Sequence, residues 1–174
     1  MKTEKILLAG ATGYLGQYIL AELLKKEYPT RIVVRNKAKI APALLTHPLL
    51  EVVEAEVTKP ETLQGLCKGV CQLISTVGIT QQKDGLTYEQ VDYGANKNLL
   101  NEALREGVQK FVYVSVFKGE MMQHIAIGAA KERFVDALKV SGIDYCIVRP
   151  SGFYSDMGNF LKMAKGGKVR LFGK

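Results

Sequence analysis

The sequence is poor in cysteine and histidine. Its 174 residues include three cysteines, Cys67, Cys71 and Cys146, and two histidines, His47 and His124. An odd number of cysteines without a cluster of histidines argues against both a disulfide framework and a zinc site, so we expect no metal centre. Free cysteine is usually buried, and we expect all three to be small hydrophobic residues in or beside strands.

The sequence also lacks a long apolar run. No stretch approaches the roughly 20 apolar residues that cross a bilayer, and the charged residues Lys2, Glu4 and Lys5 do not resemble the start of a secretion signal. We therefore expect no membrane association and a cytoplasmic location, with the mature form of an organelle protein as the alternative.

Positive charge is concentrated near the C-terminus. The net charge is +7 at pH 7. Five basic residues follow Asp156 with no acid among them: Lys162, Lys165, Lys168, Arg170 and Lys174. Because no aromatic residues alternate with these cations, the stacking pattern of nucleic-acid-binding proteins is missing. We expect a solvated basic tail and no nucleic-acid partner, and we keep nucleic-acid binding through this tail as a third hypothesis.

Short apolar runs alternate with segments whose apolar residues have helical spacing. The runs at residues 5–9, 31–34, 51–57, 72–76, 110–114 and 144–148 are typical of strands, and the segments at 14–26, 88–105 and 126–140 are typical of helices. This alternation predicts an α/β fold, a doubly wound parallel sheet between two helical layers with strand order 3-2-1-4-5-6. Beyond Ser151 the pattern becomes irregular, and a further strand is expected to begin at residues 172–174.

The first predicted strand leads into a glycine-rich turn at residues 10–16. Gly10 permits a tight exit from the strand, Gly13 lets backbone N–H groups approach a pyrophosphate, and Gly16 lets the helix pack closely on the strand. The helix N-terminus adds oriented donors and a positive dipole. This context predicts a bound dinucleotide, the alternative being a turn that only needs unusual backbone angles. The candidate phosphate-binding residues are Gly10, Thr12, Gly13, Tyr14, Leu15 and Gly16.

Arg35 is a candidate for selecting the cofactor. It lies 19 residues after Gly16, and about 20 residues separate this glycine motif from the ribose-reading residue of such folds. An acid there accepts from a free 2′-hydroxyl, whereas an arginine suits a 2′-phosphate. Charge-assisted contacts contribute about 1.5–3 kcal/mol each, enough for roughly tenfold discrimination. We therefore expect NADP(H) to be preferred, with NAD(H) possible; the alternative is a solvated surface arginine.

Five short motifs follow one another in the order of a known family. They are Gly-Ala-Thr-Gly-Tyr-Leu-Gly at 10–16, Val-Val-Arg at 33–35, Ser-Thr-Val-Gly at 75–78, Tyr-Val-Ser at 113–115 and Arg-Pro-Ser-Gly at 149–152. Together they resemble those of the atypical short-chain dehydrogenases/reductases, in particular the NmrA-like and isoflavone-reductase-like branch. The resemblance implies a Rossmann-type NAD(P)-binding domain at residues 1–150 and the start of an incomplete substrate-binding region at residues 151–174.

The same resemblance implies further site residues. Glu56 and Val57 would contact the adenine, although the family usually has an aspartate in place of Glu56. Ser115, at the end of the fifth strand, would hydrogen-bond a substrate carbonyl. The loop after the fourth strand would pass the middle of the cofactor, the alternative being a plain strand end. This loop adds Thr76, Val77 and Gly78 to the cofactor-binding candidates, and the Arg-Pro-Ser-Gly motif after the sixth strand adds Pro150.

Lys131 is the candidate for proton transfer and for contact with the cofactor. In the family, a tyrosine acid stands four residues before this lysine, but Ile127 occupies that position here and cannot donate a proton. Either Lys131 itself serves as the acid/base, or the protein binds its cofactor without turnover. Lysines transfer protons near neutral pH only when burial or a nearby positive charge lowers the pKa. The alternative is a surface lysine paired with an acid; His124 is a weaker candidate donor.

Two functions follow from these expectations. The first is an NADPH-dependent reductase, in which Ser115 orients a small electrophilic substrate of unknown identity and Lys131 manages the proton. The second is a non-catalytic NADP(H) sensor of the NmrA-like type that acts through a protein partner. Since the predicted substrate region is short, we expect an open pocket, weak or no turnover, and uncovered apolar residues that promote a homodimer or aggregation. These residues are Phe160, Leu161, Met163, Val169, Leu171 and Phe172.

Overall fold

A single parallel sheet organises the chain. The computed structural model describes residues 4–79 and 85–167, and within them six parallel strands lie in the order β3-β2-β1-β4-β5-β6. The predicted doubly wound sheet and its strand order are therefore confirmed. The strands are β1 (Lys5–Ala9), β2 (Thr30–Val34), β3 (Leu50–Glu54), β4 (Val70–Ser75), β5 (Lys110–Val114) and β6 (Asp144–Val148).

Helices connect the strands and cover the sheet. They are α1 (Tyr14–Lys25), α2 (Pro42–Leu45), α3 (Asn96–Arg105), α4 (Ala126–Lys139) and α5 (Tyr154–Lys165), and a π-helical segment, Glu89–Ala95, precedes α3. The sequence pattern is irregular beyond residue 151 and predicted no helix there, yet α5 forms. Gly158 within α5 weakens the helical signal, because glycine in a helix costs about 1 kcal/mol relative to alanine.

The third strand is shorter than its apolar pattern predicted. The run at 51–57 indicated a strand to residue 57, but β3 ends at Glu54, opposite Val34 at the end of β2. The N–H of Ala55 donates to the carbonyl of Val34, and beyond this bond β3 has no partner strand. The chain turns there instead, with the Thr62 hydroxyl bonded to both backbone groups of Glu56.

The core has two layers, one on each face of the sheet. In β1, Leu7 and Ala9 are buried on the side of α3 and α4, whereas Ile6 and Leu8 are buried on the side of α1. Strands covered on both faces are expected in a parallel sheet flanked by helices. The layer under α3 and α4 contains the largest fully buried rings of the described residues, Phe111, Tyr113 and Phe134.

The last strand is the least covered. The prediction that all three cysteines are buried is wrong for Cys146, which is exposed in β6, whereas Cys67 is buried and Cys71 is half-buried. The reason is position, since β6 is an edge strand whose side chains are mostly exposed. Burial of the thiol raises the pKa of Cys67 to about 12.

The C-terminal expectations are only partly covered by the structure. Leu161 is exposed, while Phe160 and Met163 are half-buried. The strand expected at 172–174, the cations Lys168, Arg170 and Lys174, and the apolar residues Val169, Leu171 and Phe172 lie outside the described residues. Within the described ranges, no helix combines the length and the apolar character needed to span a membrane.

Candidate functional site

A cavity of about 290 Å³ lies at the carboxyl ends of β1, β2 and β4. The connections from β1 and β4 leave the sheet in opposite directions there, which is the usual ligand position in doubly wound sheets. Nine sequence-predicted residues line this cavity: Gly10, Thr12, Gly13, Arg35, Glu56, Val57, Thr76, Val77 and Gly78. The fold thus brings four separate motifs to one place.

The glycine turn is shaped by close backbone contacts. Gly10 has φ +86°, a left-handed conformation that disfavours side chains, and a Cβ there would overlap the Thr76 hydroxyl. A Cβ on Gly16 would overlap the carbonyl group of Gly10, so α1 packs closely here against the turn that follows β1. At Gly13, φ is −77°, and its N–H donates to the Gly10 carbonyl at 2.9 Å. Other residues can adopt this φ value, so Gly13 is not needed for its backbone conformation. Its missing side chain instead leaves room for a ligand to approach the turn.

The N-terminus of α1 suits an anion. Gly13 is the N-cap residue and supplies no side chain to the free N–H groups of the first turn, which also contains no acidic residue. The positive end of the helix dipole is therefore not neutralised by the chain itself. Thr76 joins this turn to β4, because its hydroxyl donates to the carbonyls of Ala9 and Gly10 at 3.2 and 3.3 Å.

Arg35, Glu56 and Val57 form the far wall of the cavity. Arg35 is exposed at the end of β2. The Glu56 carboxylate accepts from the Thr58 N–H at 3.3 Å, which shapes its own turn, and the Asn98 amide of α3 donates to the carbonyl of Val57 at 3.0 Å. This wall is therefore held by side-chain bonds to backbone groups.

Besides Gly16 and Lys131, four candidates lie outside the lining of this cavity. Tyr14 is 48% exposed, and its ring packs against those of Tyr18 and Phe153 at centroid distances of 5.3 and 5.8 Å. The carbonyl of Pro150 accepts from the Phe117 N–H at 2.9 Å. The others are Leu15, which is half-buried in the first turn of α1, and Ser115, which is buried beyond β5.

Lys131 is buried at the edge of the cavity. Its ammonium lies 2.9 Å from the Asp92 carboxylate, whose side chain is fully buried, and 5.6 Å from the centroid of the Tyr113 ring. A Cβ on Gly78 would come within 3.0 Å of the ammonium and within 2.7 Å of the carboxylate. The alternative of a surface lysine is therefore wrong, although the pairing with an acid is present.

Asn96 holds the loop after β4 against the π-helical segment. Its side-chain amide donates to the carbonyls of Val77 and Asp92 at 3.2 and 2.9 Å, and its oxygen accepts from the Ser75 hydroxyl at 2.5 Å. Ser75 and Asn96 are both fully buried. A buried amide whose hydrogen bonds are all made fixes the position of its partners. Here it fixes the backbone of Val77 relative to that of Asp92.

Ser115 belongs to a second polar cluster. Its hydroxyl donates to the Glu132 carboxylate at 3.3 Å, and Glu132 in turn accepts two bonds from Arg149, at 2.6 and 2.8 Å. Hydrogen bonding to this carboxylate raises the pKa of Arg149. A Cβ on Gly119 would overlap the Glu132 carboxylate, so glycine is needed for the pair to form.

Tyr113 is a buried phenol beside both clusters. Within the described residues, its hydroxyl has no hydrogen-bond partner. Burial raises its pKa, and the Asp92 and Glu132 carboxylates raise it further. The phenol is therefore neutral in the folded chain, and it packs edge-on against Phe134 at 4.6 Å.

Sequence reasoning did not identify Asp92, Asn96 or Glu132 as site residues. The sequence did contain a pattern that indicates Asp92 and Asn96. Asp92 and Asn96 continue the buried helical stripe of Leu99, Leu100 and Ala103, and an aspartate on such a stripe is rare unless it is paired. Glu132 gave a weaker signal, since its cation, Arg149, comes from a different element.

Comparison with known proteins places the chain in a wider group. A family profile described as NAD(P)H-binding matches residues 10–170. An uncharacterized chloroplastic protein of Arabidopsis thaliana is 33% identical over 172 residues, covering 90% of this chain and 61% of that protein. The photosystem II assembly factor Ycf39 of Cyanophora paradoxa is 29% identical over 152 residues, covering 87% and 46%. The chain thus spans about half the length of the curated relatives it matches.

A solved structure with bound nucleotide is also similar. The NADPH-dependent quinone oxidoreductase QOR2 of Escherichia coli, complexed with NADPH, is 28% identical with a TM-score of 0.72. The similarity covers 92% of this chain and 53% of that one.

Proposed function

Because the chain belongs to the NAD(P)H-binding family, among the atypical short-chain dehydrogenases/reductases that its motifs resemble, we propose that it binds NADPH and reduces a small electrophilic substrate. The observation that carries this proposal is that residues of four separate motifs line one cavity at the carboxyl ends of β1, β2 and β4. Its lining includes the glycine turn, Arg35 and Gly78.

The turn has the features that a pyrophosphate needs. Side chains are excluded at Gly10 and Gly16 by contacts with Thr76 and with the turn itself, and the first turn of α1 contains no acid. Backbone N–H groups and the helix dipole therefore supply the donors. At the other wall, Arg35 is the proposed partner of a 2′-phosphate. The NADPH bound by QOR2 supports this choice of cofactor.

The reacting end is assigned to the neighbourhood of Lys131. A bound nicotinamide would supply the hydride to the electrophilic atom of the substrate. Lys131 would donate the proton that neutralises the product, since Ile127 has no proton to give. Ser115 is the proposed orienting hydroxyl: it donates to Glu132 at 3.3 Å, and it would have to turn its proton from this carboxylate to the substrate carbonyl, which accepts.

A second candidate is an NADP(H)-binding protein that acts through a protein partner. The observation that favours it is Ile127, half-buried where the family acid stands. The Ycf39 relative is named as an assembly factor, which fits a role exerted on other proteins. In this case the nucleotide binds in the same cavity and is not consumed.

Titration of NADPH and NADH into the purified chain, followed by cofactor fluorescence, tests the proposal. We expect Arg35→Ala to weaken NADPH binding about tenfold and to leave NADH binding nearly unchanged. Lys25→Ala, at the exposed end of α1, is the matched control and should affect neither. Failure of the unaltered chain to bind either nucleotide would refute the proposed function.

Turnover separates the two candidates. NADPH oxidation is followed with a panel of carbonyl, quinone and enone substrates. Oxidation by the unaltered chain that is lost in Lys131→Met supports the reductase. Tight binding without oxidation of any substrate supports the non-catalytic candidate.

A further inference from the structure

We propose that Asp92 is the positioning residue for Lys131, holding its ammonium at the Gly78 edge of the cavity so that the pair acts as one unit on the bound nucleotide. The inference rests on the proposed function, because it assigns a role within the same cavity. It adds a residue from the π-helical segment to a site that the sequence motifs placed in loops and on α4.

The carboxylate of Asp92 makes a hydrogen bond through one oxygen and an ion pair through the other. One oxygen accepts from the N–H of Ile79 at 3.1 Å, and the other lies 2.9 Å from the ammonium of Lys131. Its side chain has no exposed surface, and that of Lys131 is 11% exposed. A buried charge needs a partner of opposite sign, so each of these two residues determines where the other can lie.

The backbone that carries Asp92 is itself held in place. The Asn96 amide donates to the carbonyl of Asp92 and to that of Val77, which ties the π-helical segment to the loop containing Gly78. π-Helical turns are rare and occur frequently at functional sites. Here the turn places Asp92 and Asn96 on the same buried side, so one residue makes the ion pair and the other fixes the loop.

Glycine at residue 78 leaves room for the ion pair beside the cavity. A Cβ there would lie within 3.0 Å of the ammonium and within 2.7 Å of the carboxylate, closer than real Cβ contacts. Gly78 also lines the cavity. A ligand passing over Gly78 therefore lies close to the ammonium of Lys131, which is 11% exposed, whereas the Asp92 carboxylate has no exposed surface. The ammonium suits an acceptor on the ligand, such as a hydroxyl oxygen.

A double-mutant cycle on the full chain tests the inference. The variants are Asp92→Asn, Lys131→Met and their combination, each compared with the unaltered chain for NADPH dissociation constant and, separately, for melting temperature. Asparagine keeps the acceptor for the Ile79 N–H and removes only the charge. The matched control is Glu102→Gln, a buried acid of α3 that pairs with Arg105 and does not line the cavity.

We expect Asp92→Asn and Lys131→Met each to weaken NADPH binding about tenfold or more, because removing either charge releases the other. The double variant should bind no more weakly than the weaker single variant. Glu102→Gln should lower the melting temperature without changing NADPH binding. Gly78→Ala, which fills the approach to the pair, should also weaken NADPH binding.

Two results would overturn the inference. Asp92→Asn that binds NADPH within about twofold of the unaltered chain, or single effects that add in the double variant, would show that the two residues act independently. If the unaltered chain binds no NADPH, the proposed function fails first and the inference fails with it. Intact binding with no coupling refutes the inference alone.

Discussion

The two ends of the cavity are built by different physical means. The glycine end, residues 10–16 with Thr76, consists of main-chain groups packed so closely that side chains do not fit at Gly10 and Gly16. The ion-pair end, Gly78 with Asp92 and Lys131, consists of buried charges from two helical elements. When a side chain is introduced at the glycine end, a second substitution cannot restore the backbone conformation. At the ion-pair end, replacing both charged residues together leaves no unpaired buried charge. The two ends should therefore respond differently to mutation.

The largest effect is expected at the ion-pair end. Lys131→Met leaves the carboxylate of Asp92 buried without its cation, and we expect the free energy of unfolding to fall by about 3–5 kcal/mol. Lys139→Met, on the exposed side of the same helix, should change it by less than about 0.5 kcal/mol. Urea denaturation measures both.

The double variant Asp92→Asn/Lys131→Met sharpens the comparison. Removal of both charges leaves neither one unpaired, so we expect much of the lost stability to return. A double variant that loses the sum of the two single losses would contradict the view of the pair as one unit.

A smaller loss is expected at the glycine end. Gly10→Ala introduces a side chain at φ +86° and against Thr76, and we expect a loss of about 2–3 kcal/mol together with loss of nucleotide binding. Gly107→Ala is the matched control, since Gly107 has φ +70° and no atom within 4 Å of its added Cβ. The free energy of unfolding of this control should fall by only about 1 kcal/mol, the cost of placing alanine in a left-handed backbone conformation. Equal losses in the two variants would mean that the contact with Thr76 does not matter.

The smallest effect is expected at Tyr113, between the two polar clusters. Tyr113→Phe removes a buried hydroxyl without a partner, so stability should stay equal or rise by up to about 1 kcal/mol. The phenol also has a raised pKa in the folded chain. The free energy of unfolding therefore depends on pH through Tyr113. The contribution of the neutral phenol is fully present below the ordinary tyrosine pKa near 10, and it falls as the pH rises above this value because the phenol then ionises in the unfolded chain but not in the folded one.

Urea denaturation at pH 8 and at pH 10.5 measures the contribution of Tyr113 ionisation to the free energy of unfolding. Tyr113→Phe should lose less stability between these two pH values than the unaltered chain does. A loss of several kcal/mol at neutral pH would instead show that the hydroxyl has an essential partner.

The sequence predicted the fold well because the signals of the fold are local. β1 and β5 begin and end where their apolar runs do, and the glycines of the turn have the spacing of a strand, a turn and a helix. The predicted end of a strand was wrong where the length of the neighbouring strand determines it. The apolar pattern of β3 continues to residue 57, but the strand ends at Glu54 because β2 offers no further partner.

The site was predictable to different extents at its two ends. Local spacing identified the glycine turn and Arg35, and the resemblance to a family identified Lys131. The Asp92–Lys131 and Glu132–Arg149 pairs each join two elements, so no pattern within one helix or strand specifies them. Ser115 was expected to face a substrate, and in the fold its hydroxyl donates a hydrogen bond to the Glu132 carboxylate.

The sequence alone determined the layers, the strand order and the position of the glycine turn, because apolar periodicity and glycine spacing act over a few residues at a time. The tertiary structure decided which charges meet. A charge is stable in the core only where the fold brings an opposite charge within hydrogen-bonding distance, and that distance depends on the packing of whole helices against the sheet. The partner of Lys131 was therefore decided by the way the π-helical segment and α4 pack together.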